Sequence, residues 1–363
     1  MSQRVPELVR ERFGRLGDND VHRYVLAWPG GLTVRILDYG GVIQSLEAPD
    51  RDGVPANVVL GFSSLDDYVA NNRPGRPRAF FGAVIGRYAN RIAGGSFPLD
   101  GVVHRVPLDS GPNTLHGGPA GFGTRVWSAT ELHEPDSIGL RLDLVSPAGD
   151  GFPGTVTAQV TYHLDRHNRL SIIYRATTDA PTVLNLTNHT CWNLAGEGTG
   201  DVYDHSLTLN ASRFCPVDDT LIPVGNPVPV EDTPFDFRLA TPIGARIYEP
   251  DPQLCLANGY DHNWTLDGPG HPIPSFAAQA QDPGSGRLLT MWTTEPGVQF
   301  YSGNSLTEDL VGTGGRPYHR GAGFTLEAQH FPNSPNRPDF PSTILRPGEI
   351  YHQETVYRLS TAN

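Results

Sequence analysis

The chain contains no lysine, and all 27 of its basic residues are arginine. That absence removes several chemistries at once, because a side-chain Schiff base, a phosphate-loop lysine and a lysine general base each require a primary amine. Cysteine is almost as scarce. Cys191, Cys215 and Cys255 are odd in number, widely spaced and form no Cys-x-x-Cys pair. Neither a disulfide framework nor a thiolate zinc site is expected, and the three read as small apolar packing residues in a reducing compartment. There is no run approaching the ~20 apolar residues that cross a membrane. The N-terminus carries Arg4, Arg10, Arg12 and Arg15 among Glu7, Glu11 and Asp18 in place of the apolar core of a secretion signal, so a cytoplasmic location is expected. A basic surface is missing too. With 39 acidic against 27 basic residues the formal net charge is -12, which sets aside nucleic acid and anionic membranes as partners, since both need a positive footprint.

What the chain does have is turn chemistry. Glycine (41) and proline (33) are scattered without a period through 363 residues, 38% of them hydrophobic. This favours many short elements around a large core over a few long helices. Short apolar stretches at 24–27, 32–37 and 42–46 are separated by Pro29-Gly-Gly and Tyr39-Gly-Gly, the pattern of a strand meander. Residues 64–70 read as a brief helix capped by Ser64, with Leu65, Tyr68 and Val69 on its apolar side. Further strands are expected at 140–145, 156–164, 170–177, 182–186, 206–209, 288–293, 298–302, 324–327 and 350–359. In the second of these, Val156, Ala158, Val160 and Tyr162 alternate with Thr157, Gln159, Thr161 and His163, one apolar face and one wet. No interior segment holds a 3.6-residue period over three turns. The expectation is therefore an all-β fold of packed antiparallel sheets, in one domain spanning residues 1–363, since neither linker nor repeat interrupts it.

Five clusters concentrate residues able to do chemistry. Gly86-Arg-Tyr-Ala-Asn-Arg-Ile92 offers a guanidinium fork and an amide, suited to the oxygens of a polyol or to an ordinary surface turn. Asn113-Thr-Leu-His-Gly-Gly118 sets His116 beside paired glycines, where a backbone can approach a ligand or simply turn. Leu184-Asn-Leu-Thr-Asn-His-Thr-Cys-Trp-Asn193 combines three amides with His189, which can serve as acid or base near neutrality or pin a turn by hydrogen bonding. Gly259-Tyr-Asp-His-Asn-Trp264 contains Asp261, a ligand contact or a turn residue. Gly323-Phe-Thr-Leu-Glu-Ala-Gln-His330 places Glu327 within an apolar strand, where a carboxylate is costly unless it is paired or used. Gly196, Gly198 and Gly200 lack the spacing of a dinucleotide loop, and His189, His205, His262 and His330 form no short metal-ligand pattern.

In this order the clusters resemble the aldose 1-epimerase (galactose mutarotase) family, together with Thr294-Glu-Pro-Gly-Val-Gln-Phe-Tyr-Ser-Gly-Asn304 and the segment from Glu327 to Pro335. The likeness runs from Tyr39-Gly-Gly to Pro347-Gly-Glu. It implies a large β-supersandwich with an open cleft for a monosaccharide, in a monomer or homodimer, with no cofactor and no metal. Asn90, Arg91, His116 and Asp261 match the family's sugar-binding residues, and His189 and Glu327 its catalytic pair, with His116 assisting. Cys191 departs from the family, which more often has an aromatic residue there. Inverting an anomeric carbon requires ring opening, because the stereocentre is lost only when C1 becomes a planar carbonyl. The expected roles are removal of the C1 hydroxyl proton by Glu327 and protonation of the ring oxygen by His189. His116 and Arg91 would steady the ring oxygen, Asp261 and Asn90 would orient hydroxyls, and Trp192 or Trp264 would face the sugar or belong to the core. Two alternatives remain: a hexose 6-phosphate substrate held by Arg73, Arg76 and Arg78, and a carbohydrate-binding module without catalysis.

Overall fold

A computed structural model describes residues 5–72, 78–268 and 272–362. Three sheets carry the architecture. The first is the expected meander, enlarged to five strands in chain order: Glu7–Leu16, Asn19–Ala27, Thr33–Leu37, Ile43–Pro49 and Pro55–Asn57. The second has nine strands, ordered Ser128–His133, Ser137–Ser146, Val156–Asp165, Arg169–Thr178, Tyr351–Thr361, Arg287–Thr293, Ser275–Gln281, Ser206–Leu209 and Thr241–Pro242. The third has six: Cys191–Trp192, Phe324–Gln329, Gly297–Tyr301, Asp261–Thr265, Arg213–Cys215 and Val228–Pro229. Pairing within all three is antiparallel, as the lack of helical periodicity implies.

The alternation read in residues 156–164 matches the register. Val156, Ala158, Val160 and Tyr162 are fully buried, and Tyr162 lies opposite Ile172 across the ladder. The last strand, Tyr351–Thr361, fills the middle of the nine-stranded sheet, between Arg169–Thr178 and Arg287–Thr293. The helix forms at Leu65–Asn71, with the Ser64 hydroxyl accepting from the Asp67 amide at 3.2 Å.

One local expectation needs correction, and two elements appear where none was expected. Glu7–Leu16 is a ten-residue edge strand that its charges hid; no residue in it is fully buried, and Leu8, Phe13 and Leu16 pack partly against the core among its arginines and glutamates. Residues 182–186 do not form one strand. Thr182–Val183 and Thr187–Asn188 pair with different partners, and the intervening Leu184, Asn185 and Leu186 are buried on every side. A second helix, Pro252–Ala257, has Asp251 as N-cap, Pro252 in its first turn and Asn258 in the left-handed conformation at its end. It is too short to show a period.

Arginine supplies the interior struts. Arg287, 2% exposed, donates to the carbonyls of Ala48, Leu194 and Val54 at 3.0–3.1 Å, tying the meander to the nine-stranded sheet. A planar fork of five donors suits such capture of several carbonyls. Gly82 performs the corresponding junction beside the cleft. Its N–H donates to the His189 carbonyl and its own carbonyl accepts from the Ile43 amide, both at 2.9 Å. It sits at φ 67°, and a Cβ there would lie 2.1 Å from the Ile43 oxygen. Left-handed backbone and overpacking both oppose a side chain, so Gly82→Ala is expected to lose about 2–4 kcal/mol of stability, read as a lower midpoint in urea unfolding with an unchanged slope.

Candidate active site

The six-stranded sheet positions the site through its register. Opposed residues share a face, so Asn263, Gln299 and Glu327 form one row, and Asp261, Tyr301, Thr325 and Cys191 form the next. Into this polar floor two loops deliver the histidines. His116 projects from a turn at φ 53° followed by Gly117 at φ 82°, and His189 follows the short strand Thr187–Asn188. The resulting cleft has a volume of about 370 Å³, within the range of small-molecule sites. Asn90, Arg91, His116, His189, Asp261 and Glu327 all line it, so the six residues picked from the sequence converge, although 237 positions separate Asn90 from Glu327.

His189 Nε2 lies 3.7 Å from Glu327 Oε1. Glu327 Oε1 also accepts from the Thr325 hydroxyl at 3.0 Å, while its Oε2 is buried without a protein partner. The His116 and His189 rings meet edge to face, with centroids 5.3 Å apart. On the opposite wall Arg91 Nη2 reaches Asp261 Oδ2 and Arg91 Nη1 reaches Asn90 Oδ1, each at 3.4 Å. These are long hydrogen bonds, loose enough to be exchanged for sugar hydroxyls.

The His116 tautomer follows from its contacts. The Asn90 backbone N–H donates to His116 Nδ1 at 3.2 Å, and the His116 backbone N–H returns a bond to the Asn90 carbonyl at 3.0 Å. An Nδ1 that accepts carries no proton, so the neutral ring presents an Nε2–H donor to the cleft. That wiring also bears on metal binding. Ligand atoms of His116, His189 and Glu327 lie within 4.8 Å of one another, close enough to converge on an ion. A ligating histidine, however, normally donates its other ring N–H to an acceptor, and Asn90 offers His116 the reverse. His116 is therefore wired to donate into the cleft, which does not fit the role of a metal ligand.

Several sequence candidates are structural. Trp192 and Trp264 are both fully buried, Trp264 among Phe214, Phe235, Tyr260 and Phe300, so neither faces a sugar. Arg87 spends its fork on the carbonyls of Ser146, Pro153 and Gly154. His330 turns away to Glu295, at 2.6 Å. Arg78 lines the cleft, but Asp109 and two backbone carbonyls occupy its guanidinium, leaving a poor phosphate fork; Arg73 and Arg76 lie outside the described residues. Conversely, Gln299 carries no site role in the sequence reading beyond its place in the segment 294–304. Its Nε2 donates to Asp261 Oδ1 at 2.7 Å while its Oε1 is buried unpartnered, and only its register opposite Glu327 could have signalled this. Phe80, at φ 49° with its ring 4.8 Å from His116, had no sequence signal.

The family model for aldose 1-epimerase matches residues 22–358. The chain belongs to the aldose 1-epimerase family. Galactose mutarotase of Sus scrofa is 41% identical over 358 residues, 98% of this chain and 99% of that protein. Aldose 1-epimerase of Escherichia coli K12 is 38% identical over 331 residues, 90% and 92% of the two chains. Among solved structures, a galactose 1-epimerase from Lactobacillus acidophilus superposes with a TM-score of 0.85 at 28% identity, covering 99% of this chain and 100% of that one. Family membership makes the protein an isomerase that exchanges α and β anomers.

Within that family framework, burial sets the protonation of the site. It pushes the Glu327 carboxyl up to about 8, helped by the charge of Asp261 and opposed by the Thr325 hydroxyl and Arg91. It pulls His189 down to about 4, against Asp261 and a backbone hydrogen bond that favour the cation. His116 is held well below the ordinary histidine range, first by burial and then by the neighbouring charges of His189, Arg91 and Arg78. From pH 4.5 to 8 the unfolded chain has released the Glu327 proton and the folded chain has not, so stability falls as pH rises through that window. Glu327→Gln removes the titration. Its melting temperature relative to the unaltered protein is expected to climb steadily from pH 5 to pH 8, by the equivalent of a few kcal/mol; a pH-independent difference in scanning calorimetry would contradict the buried neutral carboxyl.

Proposed function

We propose that the cleft holds the pyranose of a free aldose such as galactose or glucose, with Glu327 and His189 performing the two proton transfers of anomer exchange. The observation that carries this reading is their 3.7 Å separation, which lets both groups reach the C1 to O5 edge of one ring. In the forward direction Glu327 takes the C1 hydroxyl proton as His189 delivers a proton to O5, and the C1–O5 bond breaks to leave an open-chain aldehyde. Rotation about C1–C2 presents the other face of the carbonyl. O5 then attacks that face, its proton returns to His189, and Glu327 protonates the new C1 oxygen. Protons balance over the cycle, and no oxidant or external base is consumed.

Geometry supports supporting roles for the other residues. His116, locked as an Nε2–H donor, suits the negative charge that grows on O5. Asp261, held by Gln299 and Arg91, offers acceptors for sugar hydroxyls, while Asn90 and Arg91 offer donors; fixed placement of this kind removes the entropic cost of alignment. Phe80 supplies the apolar face that neither tryptophan provides. The unpaired Oε2 of Glu327 and Oε1 of Gln299 are buried acceptors that hydroxyls would satisfy. A passive binding module would gain nothing from a buried acid–base pair of this geometry. The three free cysteines, two of them buried, support work in a reducing cytoplasm.

In the free enzyme the single proton of the pair rests on Glu327, since burial favours two neutral groups. The reactive form, carboxylate with imidazolium, has the same proton count, so its share does not change with pH while the pair keeps one proton. Binding favours it by bringing hydroxyl donors to the carboxylate. Accordingly kcat/KM, which reports the free enzyme, is expected to be flat near neutrality, falling below about 4 as His189 and Glu327 are both protonated and above about 8 as both lose protons. Polarimetry of freshly dissolved α-glucose and α-galactose, corrected for spontaneous mutarotation, measures it. By the same assay Glu327→Gln and His189→Asn are each expected to lose about 100- to 10,000-fold in kcat with the circular dichroism of the fold retained. Near-normal rates in either variant would remove the role assigned to that residue.

A further inference from the structure

Arg78 and Asp109 form the most deeply buried of the recorded ion pairs, with side chains 3% and 2% exposed. They are not placed to hold the fold's sheets together. Among the described residues, their remaining side-chain hydrogen bonds go to one short turn. Asp109 Oδ1 accepts from the Leu115 N–H at 2.8 Å, Arg78 Nη2 reaches the Leu115 carbonyl at 3.4 Å, and Arg78 Nη1 donates to the Gly118 carbonyl at 3.0 Å. The pair thus grips both ends of the turn whose apex is His116. From above, the same guanidinium covers the Phe80 ring at 4.7 Å, and Phe80 in turn packs edge-on against His116 at 4.8 Å. Asn90 holds the ring from the third side.

We propose that Arg78 and Asp109 act together as positioning residues for His116, keeping its Nε2–H aimed at the ring-oxygen end of the cleft. The proposal rests on the reading of the cleft given above. A left-handed His116 followed by two positive-φ glycines has little intrinsic preference for one ring direction. Backbone strain of this kind persists only where its surroundings over-determine it, and here the ion pair secures both ends of the turn while Phe80 and Asn90 hold the ring. An oriented donor at O5 matters in the transition state and little in the ground state, so loosening it lowers kcat more than it raises KM.

Asp109 separates this role from direct sugar contact, because Arg78 lines the cleft and Asp109 does not. The test compares Arg78→Gln and Asp109→Asn with the unaltered protein in two measurements: kcat and KM on α-glucose by polarimetry, and the ring tautomer of His116 by NMR of ¹⁵N-histidine-labelled protein, its signal assigned by loss in His116→Gln. Both variants are expected to lose about ten- to a hundredfold in kcat with KM within about twofold, and in both the single Nε2–H tautomer should give way to a mixture. A raised KM with unchanged kcat in Arg78→Gln alone would make Arg78 a sugar contact and overturn the proposal. So would a folded Asp109→Asn whose kcat or His116 signal is unaltered, whatever its melting temperature. Should Asp109→Asn fail to fold, Asp109→Glu, which keeps the charge and shifts it by one methylene, is read in its place against the same two outcomes. Absence of mutarotation in the unaltered protein would instead strike the proposed function, and the tautomer measurement would still decide this one.

Discussion

The site depends on keeping one carboxyl group in the floor of the cleft at a depth where its charge is poorly solvated. Glu327 is 2% exposed, and its hydrogen-bonded neighbour is a threonine hydroxyl. A lone carboxylate in such a place is unfavourable by several kcal/mol, so the group stays protonated and the adjacent imidazole stays neutral. Neither is paired tightly enough to be quenched. A shorter, fully satisfied ion pair would be more comfortable and would leave no free oxygen for a sugar.

Much of the surrounding architecture serves that condition. Antiparallel pairing brings Gln299 opposite Glu327 and Asp261 opposite Tyr301, so charge and amide alternate across the floor without any strand needing an irregular backbone. The histidines come instead from loops, and each loop is fastened by backbone: Gly82 to the His189 carbonyl, Asn90 to both sides of His116. This division is physical. A strand fixes the spacing of side chains but sends them only up or down, whereas two imidazoles meeting edge to face above the sheet need a turn to carry them.

The exclusive use of arginine acquires a structural meaning in the same frame. Arg87, Arg287 and Arg78 are buried and directed at main-chain carbonyls, a task for which a planar multi-donor group is well suited and a primary amine is not. Strand positions and the identities of the chemically capable residues were legible from residue pattern: the alternation at 156–164 and the buried cost of a glutamate between Phe324 and Gln329 needed no coordinates. The first strand and the split of 182–186 were not, because a charged strand with no fully buried residue shows no apolar alternation and a segment buried on all sides has no period.

Sequence alone pointed to an antiparallel β protein without lysine chemistry and to five clusters of chemically capable residues, within which the resemblance to the aldose 1-epimerase family singled out Asn90, Arg91, His116, His189, Asp261 and Glu327. Tertiary structure decided what those residues are to one another. That His189 lies 3.7 Å from Glu327, that His116 Nδ1 accepts from Asn90, that the tryptophans are core and that Gln299 and Phe80 touch Asp261 and His116 all depend on burial and on distances of a few ångströms. Such quantities arise only when segments hundreds of residues apart are packed together, since pKa and tautomer are properties of a surrounding and not of a side chain.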